Sequence, residues 1–222
     1  MTGVQHNSFS PLRDALCKFN PMHGLRSIVF AVMCGPALAD TDALEIAVYL
    51  SFDDMPRVDH VSSVIDVCGG AGQVNPDIAF CTSENIVYRR KGAEYSNYKL
   101  AHVIGHAVQV RHGIADIALR EITKRPDEEV ALRGMVTRQV ECIAGFLMAK
   151  AEAPLIDLVA VFEDEPFTGS HWGRNPLRNG PQVSIGIEAR AEWLGIGYRA
   201  KTLKECAVGE MGAELLLEAY LG

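Results

Sequence analysis

The stretch Ala101–Val110, AHVIGHAVQV, decides how this chain folds. Leu100, Val103, Ile104, Val108 and Val110 alternate with polar residues at helical spacing, so a helix is expected from Tyr95 to Arg111, with Gly113 as its stop. Side chains four apart lie one above the other on a helix, so His102 and His106 share a face and both imidazoles can reach one metal ion. Histidines at this spacing also occur as partly buried polar residues without a ligand. A zinc site needs a third protein ligand and an open position for water, so the rest of the sequence decides what the pair means.

Composition narrows the field. A chain of 222 residues that is 48% hydrophobic, 22% charged and 7% aromatic suffices for one domain with a real core. A formal charge of -7 and the lack of any Lys or Arg run argue against a nucleic-acid partner. Near the amino terminus Arg26 leads into SIVFAVMCGPALA, residues 27–39, an apolar run closing on Ala-Leu-Ala. That pattern reads as a secretory signal cut between Ala39 and Asp40, and a start at Met22 would make it a compact 18 residues. A buried hydrophobic first element is the alternative reading. The bulky Met33 before Cys34 opposes a lipoprotein. The 13-residue run is also shorter than the roughly 20 residues a membrane-spanning helix needs.

The expected layout is therefore a signal peptide over 1–39 and a single domain over 40–222, exported to the periplasm or beyond, with no transmembrane segment in the mature chain. Cys68, Cys81, Cys142 and Cys206 lie beyond that cut. An even number in an exported chain suggests two disulfides, with three pairings open.

Around the histidine helix the other elements are less sharply drawn. Glu45–Leu50 begins a strand or a short helix, and Val61–Val67 leads into the Gly-rich CGGAG of residues 68–72. Those glycines match neither a dinucleotide nor a P-loop pattern and read as a flexible turn. Asp77–Cys81 and Asn85–Arg89 flank a Thr-Ser-Glu turn, which predicts a β-hairpin. After the breaker Pro126, Val130, Met135, Val140, Ile143, Ala144, Leu147 and Met148 give a core stripe for a second long helix from about Asp127 to Ala151. Residues 163–179 read as a loop carrying His171. A third helix is expected from Gly180-Pro181 through Ala189, Trp193 and Tyr198, and a fourth from Val208 to Tyr220.

Four segments, in order, resemble the bacterial neutral zinc metallopeptidase family. HVIGHAVQ at residues 102–109, followed by Gly113-Ile114, is similar to its H-E-x-G-H-x-V-Q and Gly-Ile. CGGAG, then FCTSENIVY at 80–88, is similar to its Cys-Gly-Ser-Ala and F-Y-C-P-x-D-x-x-V-Y. QVECIAG at 139–145 is similar to the tail of its E-L-Q-A-D-C-x-A-G helix. HWG at 171–173 and AEWLGIGY at 191–198 are similar to its H-G-x-x-x-x-R and R-x-x-x-F-x-x-G-Y region. Together they cover roughly residues 64–207. The resemblance implies an α+β, mainly helical fold, with a zincin-like helix pair, a small β-hairpin or sheet and carboxyl-terminal helices. It implies zinc as the cofactor and disulfides pairing Cys68 with Cys81 and Cys142 with Cys206.

The departures fall on the chemistry. Val103 stands where the general-base glutamate belongs, and an apolar side chain takes no proton. Thr137 stands at the metal-ligating glutamate and Glu141 at the supporting aspartate. Glu141, one turn from Thr137, is the candidate substitute ligand beside His102 and His106, and His171 is a further candidate for the cleft. Two readings follow. In the first, the chain is a catalytically silent peptidase-like domain that binds a peptide or an envelope protein in the old cleft. In the second, it is a working zinc peptidase in which Glu141 or another acid replaces the missing residues.

Overall fold

The computed structural model describes residues 39–68, 75–167 and 183–212, all within one compact unit. Residues 1–38 of the expected export signal, His171 and the stretch 213–222 of the expected fourth helix lie outside the described residues. The fold is α+β and mainly helical, with a small mixed sheet of three strands. In chain order the elements are helix α1 (Ala39–Ser51), strands β1 (Arg57–Val61), β2 (Ile78–Cys81) and β3 (Ile86–Arg90), then helices α2 (Ser96–Arg111), α3 (Ile114–Lys124), α4 (Glu129–Lys150), α5 (Leu158–Val161) and α6 (Ile187–Arg199).

Helix α2 is buried along most of its length. Leu100, Ala101, Val103, Ile104, Ala107 and Val108 are all buried, so apolar groups surround most of its circumference, as in a helix packed on several sides. It packs against α4, and Gly105 sets their separation: a Cβ there would lie 2.9 Å from the Val140 carbonyl oxygen. Helices α4 and α6 approach more closely still. A Cβ on Gly145 would fall 2.0 Å from the Leu194 carbonyl oxygen, and one on Gly197 would fall 1.8 Å from that of Cys142. Both glycines are required by backbone-to-backbone contact.

The sheet has order β1-β3-β2, with β3 parallel to β1 and antiparallel to β2. The expected hairpin is β2 and β3, its turn closed by Asn85 in the left-handed region. Phe80 opposes Val87, and Val58 lies beside Val87 on the other side, so all three share one face of the sheet. Phe80 and Val87 belong to the hydrophobic core, and Val58 packs against it. Both expected disulfides form, Cys68 with Cys81 and Cys142 with Cys206. The first staples the end of β2 to the preceding loop. The second ties α4 to the 3₁₀ turn Leu203–Cys206.

The structure settles some expectations and corrects others. Of the two readings open for Glu45–Leu50, strand or short helix, the helix is the one formed, within α1. Val61, from which the chain leads into the Gly-rich segment, closes strand β1, and residues 62–68 carry no regular element. Gly113 ends α2 as expected, but at φ 77° it also reverses the chain straight into α3, whose Ile114, Ala118 and Ile122 recur four apart and pack on the core. Val130 is 62% exposed rather than part of the α4 stripe, which instead uses Leu132 and Val136. Helix α6 begins at Ile187, after Gly186 at φ 83°, later than the sequence indicated. Val208 pairs with Met211 in an isolated bridge where a helix was expected to start.

Candidate functional site

Helix α2 turns His102 and His106 to the same side, their ring centroids 5.0 Å apart and their planes nearly perpendicular. His102 is 1% exposed and His106 is 8% exposed. Opposite them α4 presents Glu141, fully buried, with Oε1 3.0 Å from His102 Nδ1. A carboxylate this close favours the proton on Nδ1 and leaves Nε2 as the acceptor, the arrangement by which a carboxylate orients an imidazole. Tyr98, one turn before His102, donates its hydroxyl to both Glu141 oxygens at 3.2 Å. Arg190, from the first turn of α6, donates Nη1 to Glu141 Oε1 and Nε to Glu165 Oε1. Glu165 in turn accepts from the Ser184 hydroxyl and from the backbone N–H groups of Ile185 at 3.2 Å and Gly186 at 3.3 Å.

Burial and charge oppose each other throughout this network. Burial pushes the Glu141 carboxyl up, but His102 and Arg190 outweigh it and hold Glu141 below the usual carboxylate range. Burial also lowers His102, against the pull of Glu141, and favours a neutral imidazole. Burial and the Glu141 charge raise the Tyr98 hydroxyl far above its ordinary value, so it stays a donor. Two carboxylates and one guanidinium are thus brought together, and the amino-terminal end of α6 supplies further positive potential at Glu165.

Aromatic rings cover His102. Phe167 lies flat on the His102 imidazole, with centroids 3.9 Å apart and planes 5° from parallel. Tyr98 stands 5.8 Å from Phe167 and 6.0 Å from Phe162, and Phe162 reaches Tyr95 at 5.3 Å.

The remaining expected residues fall elsewhere. Val103, for which the resemblance implied a general-base position, is fully buried in the hydrophobic core and is a packing residue. Thr137 is half-buried and its hydroxyl donates to the Arg133 carbonyl at 3.1 Å, a local bond within α4. Gln109, which closes the H-x-x-G-H-x-V-Q string, is a structural link. Its amide donates to the Val136 carbonyl at 3.1 Å and to Gln139 Oε1 at 2.9 Å. The Gln139 amide passes the chain on to the carbonyls of Cys206 and Met211.

A four-coordinate zinc site is not assembled from these donors. Among the described residues no three His, Cys, Asp or Glu side chains converge to hold a metal ion. Glu141 would have to leave Arg190 and Tyr98 to become a ligand, and Thr137 offers only a hydroxyl.

Four residues of the cluster were not singled out from sequence. Tyr98 was within reach, because it sits four before His102 on the same helical face. Arg190 was also within reach: counting back from Gly197-Tyr198 in R-x-x-x-F-x-x-G-Y places the arginine there. Glu165 and Phe167 come from a loop whose local pattern carries no such signal. No family model, curated protein or solved structure matches this chain.

Proposed function

We propose that this chain is a metallopeptidase-like domain without catalysis, which works as an exported binding module for a peptide or an envelope protein. The observation that carries the reading is the state of Glu141. It is the acid at the histidine pair, and it is buried, bonded by Arg190 and Tyr98, and held below the usual carboxylate range. A general base works best with a pKa near the operating pH and within reach of the water it deprotonates, and Glu141 meets neither condition. Val103, at the position for which the resemblance implies the base, is an apolar core residue. Glu141 therefore serves as an orienting group for His102.

Binding is favoured by the aromatic rings at the histidine face, because Tyr and Phe offer large contact area at low entropic cost. Export is favoured by the two disulfides, which persist in oxidising compartments. No helix among the described residues is long and apolar enough to cross a membrane.

The competing reading, a working zinc peptidase with Glu141 recruited as ligand or base, rests on the retained histidine pair. Elemental analysis of oxidised protein purified without chelator, beside His102→Ala/His106→Ala, and a peptide-hydrolysis assay with and without zinc separate the two. No hydrolysis under either condition is expected. Hydrolysis that requires zinc and vanishes in the double variant would establish the competing reading.

A further inference from the structure

The segment Phe162–Phe167 makes contacts of a kind usually made by a bound peptide. Its Glu165 carboxylate enters a receptor of four donors: the Arg190 guanidinium, the Ser184 hydroxyl and the N–H groups of Ile185 and Gly186 at the start of α6. The side chains of Arg190 and Glu165 are 4% and 7% exposed, so this is an interior contact and not a surface ion pair. Two residues on, Phe167 stacks on His102 at 3.9 Å. Phe167 adopts φ 65°, a left-handed conformation that an L side chain reaches only when its surroundings compensate. Pro166 between them fixes its own φ and lowers the entropy lost in holding the segment.

We propose that Glu165-Pro166-Phe167 is an internal ligand that closes the histidine face, and that a peptide bearing a carboxylate two residues before an aromatic ring is the class of partner that takes its place. This rests on the binding-module reading and names the ligand of that site. The carboxylate half is specified by a guanidinium and two backbone amides, which favour an anion over a neutral group. The aromatic half is specified by a flat imidazole with Tyr98 beside it. Because the strap is tethered, it competes at an effective concentration in the millimolar range, and the resting protein is closed.

The test uses the full chain and a capped peptide copy of residues 163–167, EDEPF. The peptide should bind Glu165→Ala/Phe167→Ala at least about tenfold more tightly than wild type, as expected for removal of a tethered competitor. A peptide with alanine at both specified positions should bind neither protein. Diethyl pyrocarbonate should modify His102 and His106 slowly in wild type, faster in the double variant, and slowly again once EDEPF is added, as mapped by mass spectrometry. His60, whose side chain is 37% exposed, serves as the reactive internal standard.

Equal peptide binding by both proteins, no binding by a folded double variant, or wild-type His102 reacting as fast as His60 would each overturn the proposal. If the double variant does not fold, Phe167→Ala alone decides through the same histidine reactivity. Cleavage of the bound peptide would leave the internal-ligand assignment standing and overturn the non-catalytic reading.

Discussion

Arg190 holds the cluster together because its guanidinium lies between two buried carboxylates, Glu141 and Glu165. Removing one partner of a buried pair leaves the other charge without compensation, which costs about 3 to 5 kcal/mol. Arg190→Met is therefore expected to lower the denaturant midpoint by that equivalent. Arg190→Met/Glu141→Gln should recover part of the loss, because the stranded charge at Glu141 is gone. If the two substitutions were strictly additive in urea titrations, the pair would not be coupled as described. Val103 is a packing residue: its side chain lies in the core, where a carboxylate in its place would be buried at a large desolvation cost.

At the scale of elements, two contacts set how the helices meet each other and the sheet. Gly197 lets α6 touch the α4 backbone at Cys142, and Gly197→Ala would place a methyl 1.8 Å from a carbonyl oxygen, which only helix separation relieves. A loss of about 3 kcal/mol or more is expected in equilibrium unfolding. Gly92→Ala is the control for lost space, since nothing lies within 4 Å of its added Cβ and only its φ of 72° opposes the change.

Asp77 ties β2 to β3 through Arg90 and to α2 through Lys99. Burial pushes its carboxyl up, but the bonds from Lys99 and Arg90 prevail and hold it below the usual range. Its pKa is thus lower folded than unfolded, so the stabilisation is complete above about pH 4 and is lost as pH falls through the folded value. Asp77→Asn should cost about 1 to 2 kcal/mol at neutral pH and progressively less in acid. A difference from wild type that stayed constant down to the acid limb would contradict this.

For the whole molecule the disulfides carry stability that the small sheet cannot. The Cys68–Cys81 loop spans 13 positions and the Cys142–Cys206 loop spans 64. On chain-entropy grounds they contribute about 3 and about 4 kcal/mol. Reduction should lower the denaturation midpoint, and Cys142→Ala/Cys206→Ala should lower it more than Cys68→Ala/Cys81→Ala. Thiol mapping of oxidised protein should find both pairs closed. Cys142 adjoins Glu141, so the longer loop also fixes the part of α4 that faces the histidines.

What the sequence determined by itself was local. The spacing of Leu100, Val103, Ile104 and Val108 defines α2, and the four-residue step puts His102 and His106 on one face, because a helix repeats its faces within a few residues. The same holds for the α4 stripe from Val140 to Met148 and for the hairpin, whose turn chemistry lies between its strands. The α3 pattern was equally readable, and only the stop at Gly113 obscured it.

The tertiary structure alone decided which distant groups meet. Arg190 reaches Glu141 across 49 positions and Glu165 across 25, and Tyr98 reaches Glu141 across 43. It also decided that β1 pairs in parallel with β3 and that Val103 faces the core. Such contacts follow from how closely two backbones approach at Gly105, Gly145 and Gly197, and from the balance of burial against charge, neither of which has a period along the chain.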